Sequence, residues 1–323
     1  MTKRCKSLIL HRFYPLSPMW FKNLVLLRIT APFDLTAEVL EERLQNRRFQ
    51  PCGALEPASE GWYPPLGHPD APLIHQTQGF LMLCLRREDK ILPSSVVNER
   101  LASRVDEIEA RKSRKLRKKE REGLREEILH DMIPKAFSQS RRTFAYIDPK
   151  GGWLFVDSSS ARKAEDIVAA LRQTLDGFPV RPIATQERPA SVMTRWLAGG
   201  SLPEGVTLES ECELKSPEED GGIVRARRHD LEVPEILHHL EAGKEAIKLA
   251  FSWNDRLSLV LDEALTIRRL KFLDTIQEAA ADAGSEDAAT RFDVDFALMS
   301  LELNAFLPIL LDWFGGEPPA KAS

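Results

Sequence analysis

Cysteine is scarce in this sequence, and long apolar runs are missing from it. The 323 residues include four cysteines, and no two of them form a CxxC pair. This scatter excludes a disulfide-rich secreted module and a zinc ribbon, and it fits a reducing cytosol. Because no stretch reaches the ~18 uninterrupted apolar residues of a membrane span, we expect a cytoplasmic protein with no membrane partner. We interpret the apolar stretch 296–314, which charged residues and a proline interrupt, as a buried or amphipathic helix.

The usual motifs of phosphate-binding and hydrolytic enzymes are also missing. The chain contains no GxxxxGK[ST], GxGxxG, GxSxG or HExxH pattern, so we expect no cofactor, no metal and no enzymatic activity. His238 and His239 are adjacent, and neighbouring helical side chains diverge by about 100°, which makes them poor chelators. Asp293 and Asp295 lie near a predicted helix start, where carboxylates suit the helix dipole. A metal-dependent nuclease using such dispersed carboxylates is the enzymatic alternative.

Basic and acidic residues nearly cancel, with 45 Lys and Arg against 49 Asp and Glu and a net charge of −4. That total argues against a nucleic-acid-binding protein, because such proteins usually carry a net positive charge. The distribution argues differently, because eight of the eleven residues from 111 to 121 are basic. Such a cluster can grip phosphates. It can also be a solvated helix with i,i+4 pairs to flanking glutamates, or the arm of an interaction scaffold that pairs with an acidic partner.

A long helix is predicted around this cluster. Apolar residues recur at helical spacing from Val97 to Ile108, and no strong helix breaker precedes Pro134. A helix over 95–130 would be ~54 Å long, too long to pack along its whole length in a compact globule. We therefore predict an arm whose ends pack and whose middle projects, with Gly123 as the site of a kink or reversal.

Two further basic clusters lie in the C-terminal half. Strand alternation places Arg225, Arg227 and His229 on one face and Arg228 on the other. A row of cations on a strand either meets an anion or protects an exposed edge. The second of these clusters, Arg268, Arg269 and Lys271, lies at a predicted strand-to-helix junction. The predicted DNA-binding residues are Arg111, Lys112, Arg114, Lys115, Arg117, Lys118, Lys119, Arg225, Arg227, Arg228, Arg268, Arg269 and Lys271.

Most predicted strands are connected as hairpins with helices between them, which indicates an α+β fold with antiparallel sheets, packed helices and a protruding helical arm. Residues 51–72, rich in Pro and Gly, are predicted as loop, and 236–247 as helix. We divide the chain into an N-terminal extension (1–18, with Met19 as a possible start), an α+β region (19–93), the arm (94–137), a hairpin and helix region (138–185) and a C-terminal α+β region (186–323).

Eleven short motifs occur in an order and at spacings that resemble one known family. They are MWFKNL (19–24), FxPCG (49–53), GWxPP (61–65), ExKILP (88–93), PxAFS (134–138), KAED (163–166), ELK (213–215), EDGG (219–222), EAGK (241–244), RLKF (269–272) and RFDxDF (291–296). The chain resembles the RdgC family of bacterial recombination-associated proteins from Met19 to about Gly316.

This resemblance implies a function that composition does not show. It implies a non-enzymatic, ring-shaped homodimer that encircles double-stranded DNA without sequence preference, antagonises RecA and associates with the nucleoid. It also implies a dimer interface at Phe137, Lys135, Arg228 and His229, with His229 replacing an uncharged polar residue of the family. From the residues alone, Phe137 is either a core aromatic or an anchor on a partner subunit.

Overall fold

Two antiparallel β-sheets hold the strands of this chain in a computed structural model that describes residues 19–218, 221–282 and 287–319. The predicted extension 1–18 lies outside the described residues. The strands are β1 (Val25–Ile29), β2 (Ala58–Trp62), β3 (Ile74–Thr77), β4 (Phe80–Lys90), β5 (Ser138–Asp148), β6 (Trp153–Val156), β7 (Val180–Pro182), β8 (Val206–Lys215), β9 (Ile223–Arg227), β10 (Glu245–Trp253), β11 (Leu257–Asp262) and β12 (Ile267–Phe272). The helices are α1 (Ala37–Gln45), α2 (Ser94–Lys112), α3 (Lys118–Met132), α4 (Ala161–Leu175), α5 (Pro189–Leu197), α6 (Pro234–Glu241), α7 (Asp274–Asp282) and α8 (Ala288–Asp312).

The first sheet has seven strands in the order β2-β4-β5-β6-β1-β7, with β3 paired to the other end of β4. The second has five, in the order β12-β11-β10-β8-β9. Backbone hydrogen bonds between Leu24 and Ile267, at 2.8 and 3.0 Å, connect the two sheets. Every strand pair in the described chain is antiparallel, which confirms the predicted α+β class. The ring-shaped dimer stays a prediction.

Strand β4 begins as an almost uninterrupted apolar run because both of its faces are covered. Leu81, Leu83 and Leu85 belong to a core that includes buried residues of α1 and α4. Phe80 and Met82 point to the other face, into the core that includes α8. A strand buried on both sides reads as a continuous apolar segment rather than an alternating one.

Helix α8 lies between the two sheets. Its Phe296 ring is 5.7 Å from the Tyr146 ring on β5, and its Phe306 ring is 5.0 Å from that of Trp253 on β10. The helix has the length and apolar composition to cross a membrane, but 56% of its most apolar window is buried inside the protein. Its apolar side chains therefore build the shared core, as predicted for 296–314.

The arm is a hairpin of two helices, α2 and α3, so the predicted reversal is confirmed but its predicted location at Gly123 is wrong. The chain reverses at residues 113–117, between the end of α2 and the start of α3, whereas Gly123 lies inside α3. Only Val97, Val105, Glu109 and Leu124 are buried among the residues of the two helices. The arm is thus mostly solvated, with a short seam of contact between its own helices.

Two other predictions are corrected by tertiary pairing. The segment 51–72 is not all loop, because Ala58–Trp62 forms β2 against β4. The predicted helix 236–247 ends earlier, at Glu241, and its last residues enter β10 beside β8. In both cases hydrogen bonds to a strand distant in sequence outweigh local preference.

Candidate nucleic-acid interface

The basic segment 111–121 lies at the end of the arm, where α2 turns into α3. We call residues 109–122 the arm tip. Ser113 adopts the left-handed conformation, with φ of 51°, and so ends α2 without glycine. Arg117 then begins α3 as its N-cap residue, in extended conformation. The cluster is therefore presented on a tight reversal rather than along one helix.

Two glutamates hold this reversal together. Glu109 accepts hydrogen bonds from Lys115 Nζ at 2.6 Å, from the Leu116 backbone N–H at 2.9 Å and from Arg121 at 3.1 Å. Glu120 accepts a two-pronged contact from Arg114, at 2.9 and 2.7 Å. It also accepts the Arg117 backbone N–H at 2.9 Å. Each carboxylate thus satisfies one backbone donor of the turn and at least one cation.

These contacts stabilise the ionised form of both carboxylates. The hydrogen bond from Lys115, followed by that from the Leu116 N–H, lowers the pKa of Glu109 to about 2. The hydrogen bond from Arg114, followed by that from the Arg117 N–H, lowers the pKa of Glu120 to about 2. Both groups are therefore fully charged at neutral pH.

Four cations of the arm tip have no carboxylate partner within 4.0 Å among the described residues. They are Arg111, Lys112, Arg117 and Lys119. Lys118 reaches Glu122 only at 4.0 Å. The i,i+4 ladder considered as the alternative to a phosphate-binding role is thus represented by one long contact, and the tip keeps a positive excess that faces solvent.

The second cluster lies on β9, which is an edge strand of the five-stranded sheet. Ala226 faces the core, while Arg225 and Arg227 point to the opposite face. There they meet the carboxylates directly across on β8: Arg225 Nε is 3.2 Å from Glu213, and Arg227 Nε is 3.5 Å from Glu211. The strand is therefore an exposed edge, and the anions that its cations meet in the described chain are carboxylates of the same sheet. Its predicted role in DNA binding stays a prediction.

More basic residues join this face from the other strands. Lys248 Nζ on β10 lies 2.9 Å from Glu213, and Arg268 lies 3.0 Å from Asp262. Arg269, on the opposite edge strand β12, reaches Glu211 on β8 across two intervening strands. Lys271 is exposed on the same face and forms no ion pair with any described residue. We call this surface the basic face; its residues are Glu211, Glu213, Arg225, Arg227, Lys248, Asp262, Arg268, Arg269 and Lys271.

Burial and ion pairing together make Glu213 a stable anion in the basic face. Burial raises its pKa, but hydrogen bonds from Lys248 and Arg225 outweigh that effect and leave the pKa below its usual value. Lys248 was not among the predicted residues, because it stands alone in its strand sequence. Only the strand register, which places Lys248 opposite Glu213, brings it to this surface.

The predicted face-sharing of His229 with Arg225 and Arg227 is wrong. Strand β9 ends at Arg227, and Arg228 adopts a left-handed φ of 53°. The strand alternation therefore stops before His229. Arg228 and His229 lie in the exposed turn that follows, where neither side chain forms an ion pair within the described chain.

Phe137, at the base of the arm, is 84% exposed, so the core reading of this aromatic is wrong. Its backbone carbonyl accepts the N–H of Ile91 at 2.7 Å, which fixes the residue between β4 and β5. Ile91 is itself 46% exposed. An exposed Phe beside an exposed Ile forms an apolar patch of the kind enriched at interfaces. Lys135 is exposed nearby in a single 3₁₀ turn, Ile133–Lys135.

The carboxylates considered for a metal site serve the packing of α8. Asp293 accepts hydrogen bonds from Thr77 at 2.6 Å and contacts His75 at 3.0 Å, both on β3. Asp295 is buried and accepts the Met19 backbone N–H at 3.4 Å; its pKa is raised by burial. Asp287, and not this pair, caps the helix. Within the described residues no group of three or more His, Cys, Asp or Glu is placed to hold a metal ion.

Comparison with known proteins identifies the family. A family model described as "Putative exonuclease, RdgC" matches residues 19–317. The recombination-associated protein RdgC of Tolumonas auensis is 46% identical over 299 residues, which cover 93% of this chain and 99% of that protein. The chain belongs to the RdgC family.

Other RdgC proteins match this chain to a similar extent. The recombination-associated protein RdgC of Aeromonas hydrophila is 46% identical over 299 residues, covering 93% of this chain and 99% of that protein. That of Pseudomonas aeruginosa is 43% identical over 300 residues, covering 93% and 98%. The curated names place the RdgC family in DNA recombination and name no enzyme, whereas the family description names an exonuclease.

Proposed function

We propose that this chain binds double-stranded DNA without sequence preference. The supporting observation is the arm tip, where four exposed cations have no carboxylate partner among the described residues, although the protein's net charge is −4. Such a surface binds the phosphates of nucleic acids, and contacts to the DNA backbone carry no sequence information. The basic face offers a second surface of the same sign.

Binding to two unrelated duplexes across a salt series tests this proposal. We expect similar affinity for both, falling steeply with salt because phosphate binding releases counterions. The double substitution Arg227→Glu with Arg228→Glu should weaken binding to both duplexes equally. A response that is flat in salt, or that depends on sequence, would contradict backbone recognition.

We propose further that two copies form a ring-shaped homodimer around the duplex. Phe137, with Lys135 beside it, and the exposed turn at Arg228 and His229 are surfaces that a second copy would cover. Burying an aromatic anchor contributes strongly to association. Ring closure would bring the basic surfaces of both copies around one opening, and the acidic remainder would keep the outer surface soluble.

Sedimentation of the wild type and of Phe137→Ser tests the dimer. We expect the substitution to shift the protein toward monomer, whereas Leu55→Ser, at another apolar residue that is 50% exposed, should leave the association unchanged. A wild type that is monomeric at micromolar concentration would overturn the ring.

Antagonism of RecA follows if the ring occupies the duplex that RecA-driven exchange requires. A strand-exchange assay with RecA should be inhibited by the wild type and not by the Arg227→Glu, Arg228→Glu variant. Equal inhibition by both would indicate a direct contact with RecA instead. In cells, a fluorescent fusion should follow the nucleoid, and the DNA-binding variant should spread through the cytoplasm.

We propose that the chain acts without cleaving DNA. Asp293 and Asp295 are held in packing contacts of α8 with β3 and with Met19, which leaves them poorly placed to share a metal ion. Incubation of labelled DNA with pure protein and Mg²⁺ or Mn²⁺ should leave the DNA intact. Cleavage that Asp293→Asn abolishes would establish the nuclease alternative.

A further inference from the structure

Four arginines occupy two adjacent rungs where β4 pairs with β5. The register places Arg86 directly opposite Arg142, and Arg87 directly opposite Arg141. Like charges that face each other across an antiparallel pair are unfavourable unless an anion is present. Because successive side chains alternate between faces, the two arginine pairs point to opposite sides of the sheet. The sheet therefore contains two comparable cation pairs, one on each face.

The pair Arg87 and Arg141 is neutralised within the protein. Arg87 Nε lies 3.0 Å from Asp89, and its guanidinium lies 3.6 Å from Glu60. Arg141 shares Asp89 at 3.7 Å. Two carboxylates thus compensate two guanidinium groups on this face.

The pair Arg86 and Arg142 has no such compensation, since neither side chain is within 4.0 Å of a carboxylate in the described chain. Glu88 lies two residues from Arg86 on the same strand face but forms an ion pair with neither arginine. Arg86 donates to Ser140 Oγ at 3.1 Å, which leaves its positive charge in place.

Aromatic rings hold these two guanidinium groups in position. Arg86 lies over the rings of Phe49 and Tyr63, 4.3 and 4.8 Å from their centroids. Arg142 lies 5.6 Å from the centroid of Phe144. Stacking on a ring orients a guanidinium and weakly offsets its charge, and it leaves the N–H edge free for an acceptor.

The buried thiol of Cys84 lies on β4 two residues before Arg86, on the same face of the strand. Burial raises the pKa of Cys84 to about 12, and Arg142 and Arg86 both act in the opposite direction, by favouring the thiolate. Because neither guanidinium group lies within 4.0 Å of a carboxylate in the described chain, the pair makes this side of the sheet positive. This is the side that carries α8, on the stretch of β4 and β5 that leads to the arm.

We propose that Arg86 and Arg142 together bind a phosphate of the DNA backbone. This assignment rests on the proposed duplex binding and extends it to a surface that is neither the arm tip nor the basic face. A phosphodiester supplies one negative charge and two free oxygens, which suit two oriented guanidinium forks. DNA presents such groups repeatedly along the strand that the arm tip would grip.

The opposite pair gives a matched control. We compare Arg86→Gln with Arg142→Gln against Arg87→Gln with Arg141→Gln, which removes the same charge from the same two rungs. Affinity for a random-sequence duplex should fall about 10-fold in the first variant, with a salt slope lower by about 1 to 2. The second variant should stay within about 2-fold of wild type. Equal losses in both, or no loss in the first while the wild type binds, would overturn the proposal.

Thermal unfolding separates this inference from the proposed function. Inorganic phosphate should raise the Tm of the wild type and of the Arg87, Arg141 variant, and raise it less in the Arg86, Arg142 variant. If the wild type binds no duplex, the proposed function fails, and this phosphate response alone decides whether the arginine pair is an anion site. A response that is equal in all three proteins would overturn the site. Unfolding without phosphate checks that both variants fold.

Discussion

The arm tip and the basic face are both rich in cations, but they neutralise them differently. At the tip, Glu109 and Glu120 accept hydrogen bonds from backbone N–H groups of the turn and from side chains, and four cations have no carboxylate partner in the part of the chain that the structure describes. On the basic face, Glu211 and Glu213 lie on an inner strand between basic neighbours, and each pairs with two cations. The tip presents free charge, whereas the face presents charge that is already engaged.

Geometry explains this difference. Side chains on a helical hairpin point outward in diverging directions, so a contiguous basic run spreads its charges apart. Side chains on one sheet face stand opposite each other about 5 Å apart, so opposite charges meet across the strands. A phosphate can approach the tip directly, but on the face it must displace a carboxylate. Removing a carboxylate from the arm tip should therefore loosen the turn, whereas removing one from the basic face should strengthen DNA binding.

Neutralising free cations at the tip should weaken DNA binding most. Arg117→Gln with Lys119→Gln removes two unpaired charges, and we expect affinity to fall roughly 10- to 100-fold with a salt slope lower by about 2. The control is Arg162→Gln with Lys163→Gln on α4, which removes two exposed charges that form no ion pair with any described residue and lie outside the arm. Equal losses in both variants would mean that net charge, and not the tip, governs binding.

Removing Glu109 should loosen the arm tip. Glu109→Gln leaves the Leu116 N–H and two cations without their anionic acceptor, so trypsin should cut within 111–121 several-fold faster than in the wild type. Glu107→Gln removes a carboxylate of the same helix whose one ion pair among the described residues is with Arg104, and it should leave cleavage unchanged. Unchanged cleavage in the Glu109 variant would show that the turn does not depend on this carboxylate.

Removing Glu213 should change DNA affinity less than neutralising the tip cations does, and it should raise the affinity instead of lowering it. Glu213→Gln frees Arg225 and Lys248 for phosphate, and we expect about 2- to 5-fold tighter binding, because exposed ion pairs contribute roughly 0.2–1 kcal/mol. Glu165→Gln, which removes the partner of Arg172 on α4, controls for the change in net charge. Weaker or unchanged binding would place the basic face outside the DNA path.

The smallest expected effect is the pH dependence of the arm tip, which is set by the titration of Glu109. The pKa of Glu109 is depressed from 4.5 to about 2 in the folded protein, so its stabilisation is complete above about pH 4.5 and is lost as the pH falls through about 2. The amide resonance of Leu116, which donates to this carboxylate, should titrate with a midpoint near 2. A midpoint at the ordinary glutamate value would show that the contact does not persist in solution.

Sequence patterns predicted most of the elements. The antiparallel α+β fold, the strand that contains Arg225 and Arg227, and the core helix α8 agree with what turn residues and apolar runs predicted. The reversal of the arm was predicted at Gly123 and lies instead at 113–117, because Ser113 enters a left-handed conformation without glycine and two glutamates accept backbone N–H groups of the turn. The residues alone left Phe137 either in the core or on the surface, since an aromatic residue is usually buried, and only the fold shows that it is exposed.

The amino-acid sequence alone determined the basic cluster 111–121 and the absence of the common catalytic motifs, because both depend only on residues that are neighbours along the chain. Tertiary structure alone decided which cations stay free. Strand register set Arg225 against Glu213 and Arg86 against Arg142, and the reversal at 113–117 brought Glu109 to Lys115 and Arg121. The physical reason is that charge pairing depends on distances of a few ångströms, which only folding sets between residues far apart in sequence.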